Sequence, residues 1–261
     1  MTVTRITLVD WDSCPEKFDQ QAETLAAHVL ASKSDMVLLP EMPFTPWLPQ
    51  SQDFDSKIWH DSVEQHLECL EKLGKHITVT IAASRPIVET TSNHNRSFFW
   101  KDGAFLTQPH DKQDLPEEPY FWERSWYSPG PKNTPTFTID NITFGFLICT
   151  EIWNMERNRK MLHHGAHVLL TPRATPYFDG DVWVAGVRVA AFTSGCYVLS
   201  SNRIGPINAE LNFEGLSAAS DPDGTVMGVT SEHTPYITVE IDTAVSEAAR
   251  ETYPRYVWPG K

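Results

Sequence analysis

Residues 144–153, FGFLICTEIW, combine an apolar run with an abrupt change to polar residues. The run predicts a buried strand that ends at Cys149, and the pattern of a helix begins just beyond Glu151. Backbone N–H groups and the positive end of a helix dipole favour an anion at a helix start. The stretch therefore predicts a strand that presents a thiol at its end, where the thiolate is stabilised.

Strand and helix patterns alternate on both sides of this stretch. Apolar runs typical of strands, including hairpins that turn at Asp102-Gly103 and Asp140-Asn141, cover 5–10, 35–41, 76–84, 96–107, 137–149, 166–172, 196–202 and a last pair at 215–230 and 235–242. Helical periodicity covers 17–33, much of 56–75, 154–164 and 183–194. The alternation predicts an α/β protein with mixed sheets, in which two sheets pack face to face with helices outside. Because no Gly- or Ser-rich linker interrupts it, we predict one domain over 1–261.

Composition limits the classes of partner. The 261 residues carry a net charge of −13, which argues against nucleic acid or anionic lipid as the main partner. No run of 18 apolar residues and no apolar signal segment is present, which predicts a cytoplasmic protein. The four cysteines lack CxxC spacing, so neither disulfides nor a zinc site is expected. The histidines of HHGAH (residues 163–167) lie across the end of a helix, and we interpret them as solvated rather than metal-binding.

Three residues with complementary chemistry lie at strand ends or in a long loop. Glu41 follows the strand DMVLLP, Cys149 ends another strand, and Lys112 lies in the proline-rich stretch 105–136. Ligands of α/β proteins bind at the carboxyl ends of strands, and long loops in compact domains are usually functional. A thiol, a carboxylate and an ammonium are the nucleophile, the base and the oxyanion stabiliser that acyl transfer needs.

These segments resemble those of the carbon–nitrogen hydrolase (nitrilase) superfamily, in the same order along the chain. LLPEMPF is similar to the segment with the family's glutamate, which falls on Glu41. HDKQDLPEEPYFWERSWYSPG is similar to the lysine segment, with the lysine at Lys112 and a second glutamate at Glu123. GFLICTEIWNMERNR places the nucleophile at Cys149, and the likeness extends over about residues 5–230.

The resemblance implies a four-layer αββα sandwich that hydrolyses non-peptide C–N bonds through a cysteine thioester. It assigns Glu41 as base, Lys112 and the N–H of Thr150 as oxyanion donors, and Glu123 as the group that orients Lys112 and the substrate amide. It implies no metal or organic cofactor, a small-molecule amide or nitrile as substrate, and a homodimer, or a multiple of it, formed through the helices beside the nucleophile.

Departures from the family pattern bear on the branch. Many amidase-type members have Arg and Pro four and six residues after the cysteine, where this chain has Trp153 and Met155. True nitrilases tend to carry Cys-Trp-Glu and a longer tail, whereas this chain has Cys-Thr-Glu and stops at Lys261. We therefore predict an amidase, including hydrolases of carbamoyl amides. A nitrilase and a non-catalytic binding protein on the same fold are the alternatives.

The candidate substrate-binding residues are Thr150, Trp122, Trp153 and Arg173. Trp122, with the neighbouring Phe121 and Tyr120, is either a core residue or a pocket wall that favours an apolar acyl group. Arg173 follows a strand and is either a surface residue or an anchor for a substrate carboxylate. The remaining cysteines, Cys14, Cys69 and Cys196, are interpreted as packed thiols.

Overall fold

Two β-sheets pack face to face in the computed structural model, which describes residues 3–176 and 180–257. The first sheet has the order β14-β1-β3-β4-β5-β6 and contains β1 (Val3–Val9), β3 (Met36–Glu41), β4 (Thr80–Glu89), β5 (Ser92–Lys101), β6 (Ala104–Thr107) and β14 (Tyr236–Asp242). The second has the order β13-β12-β10-β9-β8-β7 and contains β7 (Thr136–Ile139), β8 (Ile142–Phe146), β9 (Val168–Arg173), β10 (Tyr197–Pro206), β12 (Ala218–Ser220) and β13 (Val226–Val229). Two short strands, β2 (Trp11–Asp12) and β11 (Asn212–Glu214), pair with β10.

Helices cover the outer face of each sheet. The longer ones are α1 (Phe18–Ser32), α2 (Ser56–Leu73), α4 (Met155–His163) and α5 (Gly180–Ser194), and the shorter ones are α3 (Glu123–Trp126) and α6 (Thr243–Ala249). One apolar cluster joins α1 and α2 to the first sheet, and another joins α4 and α5 to the second. A third cluster fills the space between the sheets, with Leu38 and Phe99 on one side and Phe146 and Leu170 on the other. The predicted four-layer αββα sandwich is therefore confirmed.

Parallel strands of both sheets end at one edge of the sandwich. β1, β3 and β4 are mutually parallel, as are β8, β9 and β10. The carboxyl end of β10 lies against that of β3, because Ser201 Oγ donates to Leu38 O at 2.7 Å and Arg203 Nη1 donates to Glu41 O at 3.3 Å. The residues that follow these strands therefore meet in one region.

Both predicted hairpin turns are present. Asp102 and Gly103 have φ of 50° and 81°, and Asp140 and Asn141 have φ of 50° and 65°. Two consecutive residues with positive φ match the twist of the strands that they connect, which explains Asp-Gly and Asp-Asn at these positions.

Several strand bounds differ from the predicted ones by about four residues, β2 and β11 were not predicted, and two differences bear on the site and the topology. β8 ends at Phe146, three residues before Cys149. Leu147 N still donates to Leu170 O of β9 at 2.9 Å, and the chain then turns away from β9. The predicted last pair is not a pair: residues 215–230 form β12 and β13 of the second sheet, whereas β14 pairs with β1 of the first. The tail beyond Val257 lies outside the described residues. Within the described ranges, no helix is long and apolar enough to cross a membrane.

Candidate active site

Glu41, Lys112 and Glu123 form a buried group of charges at the edge where the strands end. The Lys112 ammonium lies 2.8 Å from Glu41 Oε1 and 2.7 Å from the Glu123 carboxylate. The side chains of Glu41 and Lys112 are fully buried, and that of Glu123 is 1% exposed. A buried ammonium needs such partners, because ions without counter-charges are costly to remove from water. Lys112 is 71 positions from Glu41 and 11 from Glu123 in sequence, and its ammonium holds the three side chains together.

The carboxylate of Glu41 is fixed through one of its oxygens only. Oε1 accepts from Lys112 and, at 2.7 Å, from Asn95 Nδ2. No hydrogen bond reaches Oε2 from the residues that the structure describes, although this atom is buried. The buried guanidinium of Arg203 holds the backbone of this turn by donating to Glu41 O, Met42 O and Thr45 O. Glu41 thus presents one fixed oxygen and one that can accept a proton.

Cys149 lies at a sharp turn between β8 and α4. Its φ of 51° is in the left-handed region, and it begins a 3-10 turn, Cys149–Trp153, with α4 starting only at Met155. Burial, and next the charge of Glu41, raise the pKa of the Cys149 thiol well above its usual range, while Lys112 offsets this only in part. The predicted stabilisation of the thiolate by a helix start is not seen, since α4 begins six residues beyond Cys149 and burial disfavours the anion. A base is needed to ionise this thiol.

The lysine-bearing segment is residues 108–135, which we call the lysine loop. Lys112 N donates to Asn95 O at 2.9 Å, which fixes the loop along β5. Burial alone would lower the pKa of Lys112, but the Glu123 and Glu41 carboxylates outweigh it and raise the pKa. Burial raises the pKa of Glu123 to about 7, although the charge of Lys112 opposes this. The Tyr127 hydroxyl donates a hydrogen bond to the same carboxylate. The Lys112 ammonium thus pairs with the carboxylates of both Glu41 and Glu123, and it stays charged.

A cavity of about 390 Å³ opens above Cys149. Its lining combines reactive groups with apolar and acidic side chains: Pro116, Glu118, Pro119, Tyr120, Phe121, Glu123, Cys149, Thr150, Ala174, Thr175, Pro176, Trp183, Glu210 and Leu211. A volume of this size holds a small molecule. Among the described lining residues none is a lysine, arginine or histidine.

The structure separates the predicted substrate-binding residues. Thr150 lines the cavity and donates through Oγ1 to Asp114 O at 2.7 Å. Trp122 is not among the lining residues described, whereas its neighbours Tyr120 and Phe121 are. Trp153 is also absent from that lining and is 41% exposed, with its ring 5.2 Å from that of Trp183.

Arg173 lies behind the cavity rather than in its described lining. Its guanidinium is buried and donates to Ser200 Oγ at 2.9 Å, to Gly215 O at 3.4 Å, and to Thr175 Oγ1 and Leu216 O. Burial lowers the pKa of Arg173 to about 10, so the side chain stays charged at neutral pH. Because these donors are used inside the protein, the geometry does not support the predicted anchor for a substrate carboxylate.

The three histidines of HHGAH do not converge. His164 Nδ1 is 2.8 Å from Thr134 O, and His167 Nδ1 accepts from Thr143 N at 3.0 Å. Within the described ranges, one group of possible metal ligands comes together, namely Glu89, His94 and Asp111. The guanidinium of Arg96 already pairs with both carboxylates of that group, and its positive charge takes the place that a metal ion would have.

Sequence reasoning missed several residues that support the site. Asn95 donates to the carboxylate of Glu41, and Tyr127 donates to that of Glu123. Glu118 and Glu210 supply exposed charge at the cavity. Asn95 lies in the polar part of β5, residues 92–97, which precedes the apolar residues of that strand, so no sequence pattern marked it.

The chain matches known proteins along most of its length. The family model "Carbon-nitrogen hydrolase" matches residues 6–251. A glutamine-dependent NAD(+) synthetase from Rhodobacter capsulatus is 27% identical over 202 residues, which cover 75% of this chain and 35% of the synthetase. The chain thus spans about a third of that relative's length. An N-carbamoylputrescine amidase from Arabidopsis thaliana is 24% identical over 89% of this chain and 83% of its own.

Solved structures share the fold. A carbon-nitrogen hydrolase from Helicobacter pylori G27 superposes with a TM-score of 0.85 at 20% identity, covering 98% of this chain and 95% of that one. At this identity the likeness concerns the architecture, and it agrees with the four layers described above.

Proposed function

Because the chain belongs to the carbon–nitrogen hydrolase family, we propose that it hydrolyses a small amide through a thioester on Cys149. The observation that carries this proposal is the cavity in which Cys149 lies beside Glu123, with Lys112 bridging Glu123 and Glu41 directly behind. These groups are a nucleophile, a base and a cation in one buried place, which is what acyl transfer requires.

The first half of the reaction forms the thioester. Glu41 takes the proton of the Cys149 thiol, and the sulfur bonds to the carbonyl carbon of the amide. The Lys112 ammonium and the N–H of Thr150 stabilise the negative oxygen. The C–N bond then breaks as Glu41 returns the proton to the departing ammonia or amine. The free Oε2 of Glu41 supports this role, since no hydrogen bond from the described residues occupies it.

The second half releases the acid. Glu41 takes a proton from water, and the resulting hydroxide attacks the thioester carbon. The C–S bond breaks, and the sulfur recovers the proton from Glu41. The raised pKa of Cys149 supports this sequence, because a thiol that is neutral at rest needs a base to form the thioester and takes a proton back when the thioester is hydrolysed.

We propose an amide rather than a nitrile as the substrate. Glu123 lines the cavity and holds Lys112, so its carboxylate can also accept from the amide N–H₂. A nitrile has no N–H to donate. With an amide and a nitrile of the same acyl group, we expect kcat/KM to be at least roughly tenfold higher for the amide, the worth of one hydrogen bond to a charged group.

The measurement is ammonia release from such pairs, together with L-glutamine and N-carbamoylputrescine, which the names of the relatives suggest. A higher kcat/KM for the nitrile, with the acid as main product, would make the protein a nitrilase. Absence of ammonia release from every compound in the panel would favour the binding-protein alternative.

The charges of the cavity favour a neutral or cationic substrate tail. Glu118 and Glu210 are exposed in the lining, and Arg173 is withdrawn from it. For amides of equal length that end in an ammonium, a methyl or a carboxylate, we expect KM to rise in that order. Replacing both glutamates with glutamine should raise KM for the ammonium amide by about fivefold, the effect of an exposed ion pair. The methyl amide is the control, and a preference for the carboxylate would contradict the proposal.

We also propose a homodimer formed through α4 and α5, in a cytoplasmic protein. α5 exposes three apolar side chains, Val182, Val189 and Phe192, and Trp153 lies nearby on the 3-10 turn. Light scattering after size exclusion should give twice the mass of one chain. Val189→Glu with Phe192→Glu should give a monomer, because buried charges without partners oppose association. The matched change Val3→Glu, at an exposed apolar residue of β1, should leave the dimer intact.

A further inference from the structure

The carboxylate of Glu151 lies fully buried between two segments of the chain. Its Oε1 accepts from Gln113 N at 2.7 Å and forms an ion pair with Arg157, whose Nη1 lies 2.8 Å away. Its Oε2 accepts from Ile148 N at 2.7 Å and from His110 Nε2 at 2.7 Å. Three hydrogen-bond donors and one guanidinium thus use both oxygens of one side chain.

Two of these donors are the backbone neighbours of reacting residues. Gln113 directly follows Lys112, and Ile148 directly precedes Cys149. Because the bonds are made to main-chain N–H groups, they hold the backbone itself. Glu151 therefore joins the lysine loop to the turn that carries the thiol through a single rigid carboxylate.

The charge state of Glu151 suits this role. Burial alone would raise the pKa of Glu151, but the neighbouring His110 and Arg157 outweigh it and lower the pKa. Both carboxylate oxygens therefore remain acceptors. His110 donates through Nε2, while its buried Nδ1 has no hydrogen-bond partner among the described residues.

Other bonds join the same two segments independently. Thr150 Oγ1 donates to Asp114 O, and Arg157 Nη2 donates to the side-chain oxygen of Gln113 at 2.7 Å. A variant of Glu151 thus keeps part of the connection, so we expect it to fold while the spacing of the segments relaxes.

We propose that Glu151 is a positioning residue that sets the separation between the Lys112 ammonium and the Cys149 thiol. The inference rests on the proposed function, since a separation matters only if both groups act on one carbonyl. A displacement of about 1 Å in a catalytic arrangement can reduce the rate by about 10²-fold.

The test is the acylation of Cys149 by p-nitrophenyl butyrate, followed as the burst of p-nitrophenolate. In Glu151→Gln, an N–H₂ group replaces one of the two acceptor oxygens. In either orientation of the amide, this group faces an N–H group that donated to the carboxylate, namely that of Gln113 or that of Ile148. We expect its burst rate constant to fall roughly 10- to 100-fold, with the half-saturating ester concentration changed by less than about threefold. Glu156→Gln, at an exposed glutamate five residues further on, is the matched control and should keep the wild-type rate.

A double-mutant cycle separates positioning from a general effect on the fold. If Glu151 acts through Lys112, adding Glu151→Gln to Lys112→Met should slow acylation by less than about threefold further. If the double variant slowed acylation by the product of the two single reductions, the inference would be overturned. A burst rate constant of Glu151→Gln equal to that of the wild type would also overturn it.

Glu151→Asp covers the case in which the glutamine variant does not fold. The shorter side chain keeps the charge but cannot reach both backbone N–H groups, so we expect a similar loss of rate in a folded protein. Unfolding of both variants, seen by circular dichroism, would assign Glu151 to the fold and overturn the inference. A wild-type protein with neither a burst nor ammonia release would instead overturn the proposed function, and this inference with it.

Discussion

Replacing Cys149 with alanine should abolish amide hydrolysis while leaving the fold intact. The thiol is the proposed nucleophile, and without it no thioester can form, so we expect kcat to fall by at least about 10⁴-fold. The change removes one buried sulfur at a turn and adds no volume. Ammonia release measures the first effect, and thermal unfolding followed by circular dichroism measures the second.

The other cysteines provide the control. Cys196 is buried and donates to Ala166 O at 3.0 Å, which a serine hydroxyl can also do, and Cys14 is partly exposed. Cys196→Ser and Cys14→Ser should each keep most of the wild-type kcat. A Cys149→Ala protein that still releases ammonia, or a Cys196→Ser protein that is equally inactive, would show that the wrong thiol had been chosen.

Lys112→Met should produce the second-largest loss, on the order of 10²–10³ in kcat. Methionine fills the same space but supplies no charge to the oxygen of the tetrahedral intermediate. Lys160→Met is the matched control, because Lys160 pairs with Glu156 at the surface and should change kcat little. A Lys112→Met enzyme with near wild-type kcat would remove the ammonium from the mechanism.

The same substitution should change how stability depends on pH. Without the ammonium, no positive charge of Lys112 opposes the effects of burial and of the neighbouring Glu41 on Glu123, which raises the folded-state pKa of Glu123 further above the unfolded value of about 4.3. Such groups stabilise the fold below the unfolded pKa, and the stabilisation is lost as pH rises through the folded pKa. We expect the loss of unfolding free energy, on the order of 3 kcal/mol, to be larger at pH 8 than at pH 5. Melting temperatures at both pH values measure this, and an equal loss at both would contradict it.

The layers of the fold could be predicted because they depend on local patterns. The alternation of apolar runs and helical periodicity gave α1, α2, α4 and α5, and the Asp-Gly and Asp-Asn pairs gave the two hairpin turns. Strand pairing was less predictable: β14 joins β1, more than 220 residues away in sequence, rather than the strands just before it.

The order of Glu41, Lys112, Glu123 and Cys149 along the chain was also sufficient to indicate a carbon–nitrogen hydrolase. What the sequence by itself determined is therefore the family and the set of reactive groups, since both are properties of short segments read one at a time.

Only the tertiary structure decided the environment of each group. Asn95 binds Glu41 across 54 positions, and Arg173 is withdrawn from the lining of the cavity. Burial, and next the charge of Glu41, raise the pKa of the Cys149 thiol. Burial and the distance between charges determine these properties, and both depend on residues that are remote in sequence. A strand-end thiol and a loop lysine acquire their chemical character only when the two sheets close around them.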